Sequence, residues 1–211
     1  MRDIVLSSRN AKKVAELQAI LREFGVHVRP VGDFPGIGDI SETGATFHEN
    51  AALKAETVRD ATGLPTIADD SGLIVDAMSP LPGVHSARFA ELYGADTPLR
   101  AESADARNNE LLQLRLTDVP EARRTARYCC VIAVAVPGMA TRFFEGECRG
   151  IMLPAARGAA GFGYDPYFLS NELGRTFAEV PGEAKHAVSH RGRALEAMMR
   201  GMQEWFATRC A

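Results

Sequence analysis

One stretch limits the architecture of this chain before any other. An unbroken β-favouring run from Thr125 to Val136 is turned by Pro137-Gly138 into a second run from Ala140 to Cys148, which predicts a long antiparallel hairpin. The N-terminus predicts the opposite kind of connection. Ile4-Val5-Leu6 reads as a buried strand and Ser7-Ser8-Arg9-Asn10 leads into a helix. On that helix Val14, Leu17, Leu21 and Phe24 recur at helical spacing, Gly25 supplies the stop, and Val26 to Val31 reads as a second strand. A strand–helix–strand opening followed by a hairpin calls for an α/β or α+β fold with a mixed sheet.

The remaining elements fill in that outline. A Gly/Pro/Asp-rich loop runs from Gly32 to Gly44, and Thr46-Phe47-His48-Glu49 carries the capping-box pattern of a helix reaching Thr62, closed by Gly63 and Pro65. An apolar run, Leu64 to Ile67, ends in Ala68-Asp69-Asp70-Ser71-Gly72, and Leu73-Ile74-Val75 reads as a further strand. Pro80 to Gly83 is a turn, Asp105 to Leu116 a helix, Tyr167-Phe168-Leu169 a short strand, and Ser189 to Phe206 a last helix with Leu195, Met198, Met202 and Trp205 on one stripe. There is no repeat, low-complexity segment or linker, so residues 1–211 are expected to form one compact domain or one domain with two lobes.

Composition excludes some classes of partner. With 46% hydrophobic and 24% charged residues the chain is ordinary for a globular protein, and a formal net charge of −3 argues against a nucleic acid bound over a broad surface. An anionic small molecule fits if basic groups are concentrated locally. Cys129, Cys130, Cys148 and Cys210 form no C-x-x-C pair and no zinc spacing, so a reducing cytoplasm is expected. Met1-Arg2-Asp3-Ile4 shows no signal-peptide layout, and the longest apolar run, Cys129 to Val136, is too short to span a bilayer; no membrane association is expected.

Four groups of residues carry potential chemistry. Asp69 and Asp70 stand side by side, and because neighbouring strand residues point to opposite faces, one acid can face a ligand while the other is tied to the backbone or reaches the site from behind. Paired carboxylates suit a hard divalent cation held over a phosphate; the plain alternative is an Asx turn leaving a strand. Ser8-Arg9-Asn10-Ala11-Lys12-Lys13 lies at a helix N-terminus, where free N–H groups and the helix dipole favour phosphate, although Lys12 and Lys13 would also simply solvate an exposed turn. Glu42 in the polar loop suits a metal ligand, Glu49 the cap, and Lys54 a phosphate if it points inward.

The other two groups lie in the C-terminal half. In Gly158-Ala159-Ala160-Gly161-Phe162-Gly163-Tyr164-Asp165-Pro166 glycines alternate with aromatics; Phe162 suits stacking on a base and Asp165 accepting from a ring or sugar donor, the alternative being a tight turn packed by its aromatics. Its spacing does not match the dinucleotide fingerprint. His186 and His190 have the spacing of a zinc helix without the glutamate between them, so His190 and Arg191 read better as donors to a carbonyl or phosphate oxygen.

Taken in order, a strand followed by S-R-N-A-K-K, then E-T-G-A-T-F-x-E-N-A-x-x-K-A, A-D-D-S-G-L, P-G-V-x-S-A-R, G-F-G-Y-D-P and S-H-R-G, the motifs from Ser8 to Gly192 resemble the non-canonical purine nucleoside triphosphate pyrophosphatases, the inosine/xanthosine triphosphatases of the Ham1-like family. The family pattern often has Thr-Gly where this chain has Ser8-Arg9, while Asn10 and Lys13 are kept. The resemblance implies a long mixed sheet dividing two α/β lobes with the active site in the cleft between them, a homodimer, and Mg²⁺-dependent hydrolysis of a nucleoside triphosphate to monophosphate and pyrophosphate. It implies Asp70 as proton acceptor and metal site, with Glu42 helping to hold the cation. Ser8, Arg9, Asn10, Ala11, Lys12, Lys13, Lys54 and Ser71 would grip phosphates and sugar; Phe162, Gly163, Tyr164, Asp165, Lys185, His190 and Arg191 would surround the base.

Donor and acceptor logic then sets base choice. Hypoxanthine and xanthine present a 6-oxo acceptor where adenine has an amino donor, so a site that donates from Arg191 or backbone N–H groups leaves adenine badly paired. Two alternatives stand beside this reading: a Maf-like nucleotide pyrophosphatase with a different base preference, and a non-catalytic nucleotide-binding module.

Overall fold

The computed structural model describes residues 2–22 and 25–207; Phe24 and Cys210 lie outside them, as do the side chains of Lys12 and Trp205. A six-stranded sheet with strand order β2-β1-β3-β4-β5-β6 runs through it. The strands are β1 (Arg2–Leu6), β2 (Val26–Pro30), β3 (Thr66–Val75), β4 (Thr125–Ala135), β5 (Arg142–Met152) and β6 (Phe168–Ser170). β1 pairs in parallel with β2, Ile4 opposite Val28, and with β3, Leu6 opposite Ile67, whereas β5 pairs antiparallel with β6. Both pairing modes in one sheet make the fold mixed α/β, as the opening unit and the hairpin together require. The helices are α1 (Ala11–Leu21), α2 (Phe47–Thr62), α3 (Phe89–Tyr93), α4 (Ala104–Arg115), α5 (Gly182–Val188) and α6 (His190–Ala207).

The chain divides into two compact units, residues 1–70 with 131–144 and residues 71–130 with 145–211, so the division falls within β3, β4 and β5. In the first unit α2 is fixed at both ends by local chemistry. Thr46 Oγ1 accepts from the Glu49 N–H at 3.1 Å, Glu49 Oε2 accepts from the Thr46 N–H at 3.2 Å, and Gly63 ends the helix at φ +69°. Its inner face, Ala51 and Ala55, is small enough to lie close against Ala68, Val131, Ala133 and Ala135, all fully buried or nearly so. A second apolar cluster joins Val5, Val31 and Val58 to Phe34, Ile37 and Ile40 of the loop before α2. That polar-looking loop is therefore anchored by burying apolar side chains.

The second unit has the larger core, built on Leu73, Val75, Phe89, Leu111, Leu112, Leu116, Tyr128, Met152, Phe168 and Phe177. Tyr128 meets Phe168 edge-on at 4.8 Å between centroids and lies parallel to Phe177 at 5.9 Å.

One expectation is corrected. The acid pair does not end a strand: β3 continues from Thr66 through Asp69 and Asp70 to Val75 as one element. A carboxylate can sit in mid-strand because each of the two is met by a lysine, as described below. The short helices α3 and α5 lack a readable signal, since one or two turns are held by packing rather than by propensity.

Candidate active site

In the first unit, residues far apart in sequence converge on β3. Asn10 opens α1: its carbonyl accepts from the Val14 N–H at 3.1 Å, its own N–H is held by Ser8 Oγ at 3.1 Å, and its Oδ1 accepts from the Lys13 N–H at 3.4 Å. This cap sets the first turn of α1 and aims Lys13, whose Nζ lies 3.0 and 2.9 Å from the two oxygens of Asp69. From α2, Asn50 Nδ2 donates to Asp70 Oδ2 at 3.1 Å, and Lys54 Nζ lies 3.5 Å from Asp70 Oδ1 while also pairing with Glu42. Neighbouring acids on one strand are thus served by different helices, as the alternation of a strand demands.

Lys54 marks a point where positive charge is wanted. Burial works against its ammonium, but the carboxylates of Asp70, Glu42 and Asp69 outweigh that and hold its pKa above the ordinary 10.5. Beside it lies a cavity of about 380 Å³ lined by Ser7, Ser8, Arg9, Val31, Gly38, Asp39, Ile40 and Lys54. Arg9 pairs with Asp39 and donates from Nη2 to the Ile37 carbonyl at 2.9 Å, tying the loop of residues 32–44 to the end of β1. Ala11 and Lys12 lie in the first turn of α1, and Ser71 follows Asp70 on β3, partly buried.

Asn50, to which the sequence motifs assign no role, belongs to this site. It is 1% exposed, its Nδ2 holds Asp70 and its Oδ1 accepts from the Gly44 N–H at 2.7 Å. A Cβ on Gly44 would lie 2.6 Å from Glu49 Cβ and 2.8 Å from Asn50 Oδ1, so that contact requires glycine. The one signal available was an amide next to the capping glutamate, turned inward one helical step later.

Among the described residues no group of three or more His, Cys, Asp or Glu is arranged to hold a metal ion. Glu42 and Asp70 nevertheless share one cation, the Lys54 ammonium, between hard carboxylate oxygens. Mg²⁺ is commonly held by one or two carboxylates together with substrate phosphates, so this pair fits such an ion without a full protein cage.

The second unit carries the other predicted residues. Phe162 is 76% exposed, and Lys185 Nζ sits 4.8 Å from its ring centroid and also pairs with Asp165. Asp165 Oδ2 further accepts from the Phe162 N–H at 3.0 Å. Tyr164 is buried and its hydroxyl donates to the Ser86 carbonyl at 2.9 Å, which places its ring in the core; burial raises its pKa above the ordinary tyrosine value. His190 starts α6 and stacks on Tyr128 at 4.8 Å, while Ser189 Oγ accepts from the Gly192 N–H at 3.1 Å and caps the helix. Gly146 of β5 and Gly192 let this turn in closely: a Cβ on either would lie 2.0 Å from the carbonyl oxygen of His190 or His186 respectively. Arg191 lies partly exposed in the same first turn of α6.

Comparison with known proteins gives a consistent result. A family model described as the Ham1 family matches residues 4–201. A Nitratidesulfovibrio vulgaris protein named dITP/XTP pyrophosphatase is 48% identical over 197 residues, 93% of each chain, and a Geobacillus kaustophilus protein of the same name is 46% identical over 204 residues, 97% of this chain and 96% of that one. A solved structure described as a HAM1 protein from Coxiella burnetii superposes with a TM-score of 0.87 at 38% identity, covering 97% of this chain and all of that one.

Proposed function

The chain belongs to the Ham1 family, and on that footing we propose that it hydrolyses non-canonical purine nucleoside triphosphates (deoxyinosine, inosine and xanthosine triphosphates) to the monophosphate and pyrophosphate. The observation that carries the reading is the convergence of Lys13, Lys54, Glu42 and the Asp69-Asp70 pair beside the cavity in the first unit. Neither a Maf-like base preference nor a binding module without catalysis finds support among relatives named for dITP and XTP.

In this reading the phosphates enter the cavity, where the N–H groups opening α1 and the ammonium groups of Lys13 and Lys54 share their charge. Ser8, Arg9, Asn10 and Ser71 complete the grip on phosphates and sugar. Glu42 and Asp70 would hold Mg²⁺, which when bound neutralises phosphate oxygens and polarises phosphorus. Asp70, fixed by Asn50, orients water toward the α-phosphorus and accepts its proton. The new P–O bond forms as the bond to the β-bridging oxygen breaks, and pyrophosphate leaves intact. A carboxylate is a weak base, so the contribution of Asp70 is chiefly positional.

Base recognition is assigned to the second unit. Phe162 stacks on the purine, Asp165 and Lys185 fix that ring, and His190 and Arg191 donate toward a 6-oxo group. The same reading carries a single enzyme domain, a homodimer and a cytoplasmic location.

A pyrophosphate-release assay with Mg²⁺ tests it, using deoxyinosine, inosine and xanthosine triphosphates against ATP, GTP and modified pyrimidine triphosphates. Pyrophosphate from the first three, abolished by a chelator, is the expected result. Orthophosphate with accumulating nucleoside diphosphate overturns the α-phosphorus attack, and preference for the pyrimidines overturns the substrate class.

A further inference from the structure

Gly163, in the loop that carries Phe162, has both of its backbone polar groups taken by one helix. Its N–H donates to Asp105 Oδ2 at 2.8 Å, and its carbonyl accepts from Asn109 Nδ2 at 2.8 Å. Asp105 and Asn109 stand one turn apart on α4, and the same Nδ2 also donates to the Asp105 carbonyl at 2.9 Å. Gly163 sits at φ +58°, a left-handed conformation with no regular ladder to hold it.

Asn109 gives up something to do this. It is 8% exposed, and its Oδ1 is buried without a hydrogen-bond partner among the described residues. Rotating the amide would satisfy nothing, since Oδ1 would then face the carbonyl oxygens of Gly163 and Asp105. A buried acceptor left unmade carries a penalty, and its retention points to a duty other than packing. The Asp105 carboxylate bond is charge-assisted, so the clamp is stronger than an ordinary turn.

We infer that Asp105 and Asn109 are positioning residues for the purine subsite, acting through Gly163. They hold the backbone on one side of Phe162 while Asp165 holds the Phe162 N–H and Lys185 covers its ring. An exposed aromatic ring on a glycine loop would otherwise lose mobility on meeting the base, and the clamp removes that cost beforehand. Loss of the clamp weakens binding of the base and leaves the phosphate chemistry of the first unit alone. This inference rests on the proposed function for its ligand.

The test compares Asp105→Ala, Asp105→Asn and Asn109→Ala with the wild type. Affinity for inosine monophosphate is measured by calorimetry, affinity for tripolyphosphate serves as a control without a base, and KM and kcat are measured for deoxyinosine triphosphate. Both alanine variants should bind inosine monophosphate roughly tenfold more weakly and show a matching rise in KM, with kcat within about twofold and tripolyphosphate binding unchanged. Asp105→Asn, which keeps an acceptor for the Gly163 N–H, should recover most of the affinity. Equal inosine monophosphate affinity in wild type and alanine variants overturns the inference alone, as does a parallel loss of tripolyphosphate binding. A wild type that binds no inosine monophosphate overturns both the inference and the function on which it rests.

Discussion

Lys13 holds Asp69 by both carboxylate oxygens, at 3.0 and 2.9 Å, although 56 residues separate them in sequence. Asp70, next along β3, is held instead by Asn50 and Lys54 of α2. Adjacent acids therefore have separate partners: Asp69 pairs with Lys13, and Asp70 shares Lys54 with Glu42.

Removing Lys13 should expose that division. Asp69, with a side chain only 7% accessible, would be left without its cation in Lys13→Ala. Unfolding in urea should show a loss of about 1–3 kcal/mol, and KM for deoxyinosine triphosphate should rise. An unchanged KM would remove Lys13 from the phosphate site.

Catalysis and base recognition should separate in a pair of variants. Asp70→Asn keeps an acceptor and shape but cannot take a proton, so kcat should collapse while KM changes little. Arg191→Ala should raise KM for inosine triphosphate far more than Asp70→Asn does. Steady-state kinetics on both decide it, and the reverse pattern would reassign the roles.

The Lys54 ammonium gives a pH signature of defined sign. Its pKa lies above the ordinary 10.5, so its ion pairs contribute fully below that value and are lost only as pH climbs through the raised one. The stability gap between wild type and Lys54→Met, measured by urea unfolding, should stay constant from about pH 7 to about pH 10 and narrow above. A gap that closes below about pH 9 would contradict the arrangement.

Arg9 supplies a further prediction. Its pair with Asp39 is exposed, with side-chain accessibilities of 51% and 94%, so Arg9→Gly should cost less than about 1 kcal/mol of stability. Because Arg9 also holds the Ile37 carbonyl in the loop leading to Glu42, KM for deoxyinosine triphosphate should nevertheless rise several-fold. Wild-type kinetics in Arg9→Gly would show that the loop stays in place without it.

Much of this was legible in local sequence because its causes are local. The capping box at Thr46 and Glu49, the glycine after Thr62 and the turn at Pro137-Gly138 depend on residues a few positions apart, and they appear where the pattern puts them. The short helices α3 and α5 were not legible, and neither was the continuity of β3 through its two acids. A carboxylate in mid-strand looks like a strand end until a lysine from another element is known to meet it.

Periodicity, caps and turn residues determined most of the strands and the longer helices, and the ordered motifs determined the family. Tertiary structure alone decided which partner each charged or polar group received: Lys13 for Asp69, Asn50 and Lys54 for Asp70, Asp105 and Asn109 for Gly163. The physical reason is range. Backbone preferences act over a turn or two, whereas the pairing that makes a buried charge or a loop amide tolerable joins residues that only the folded chain brings together.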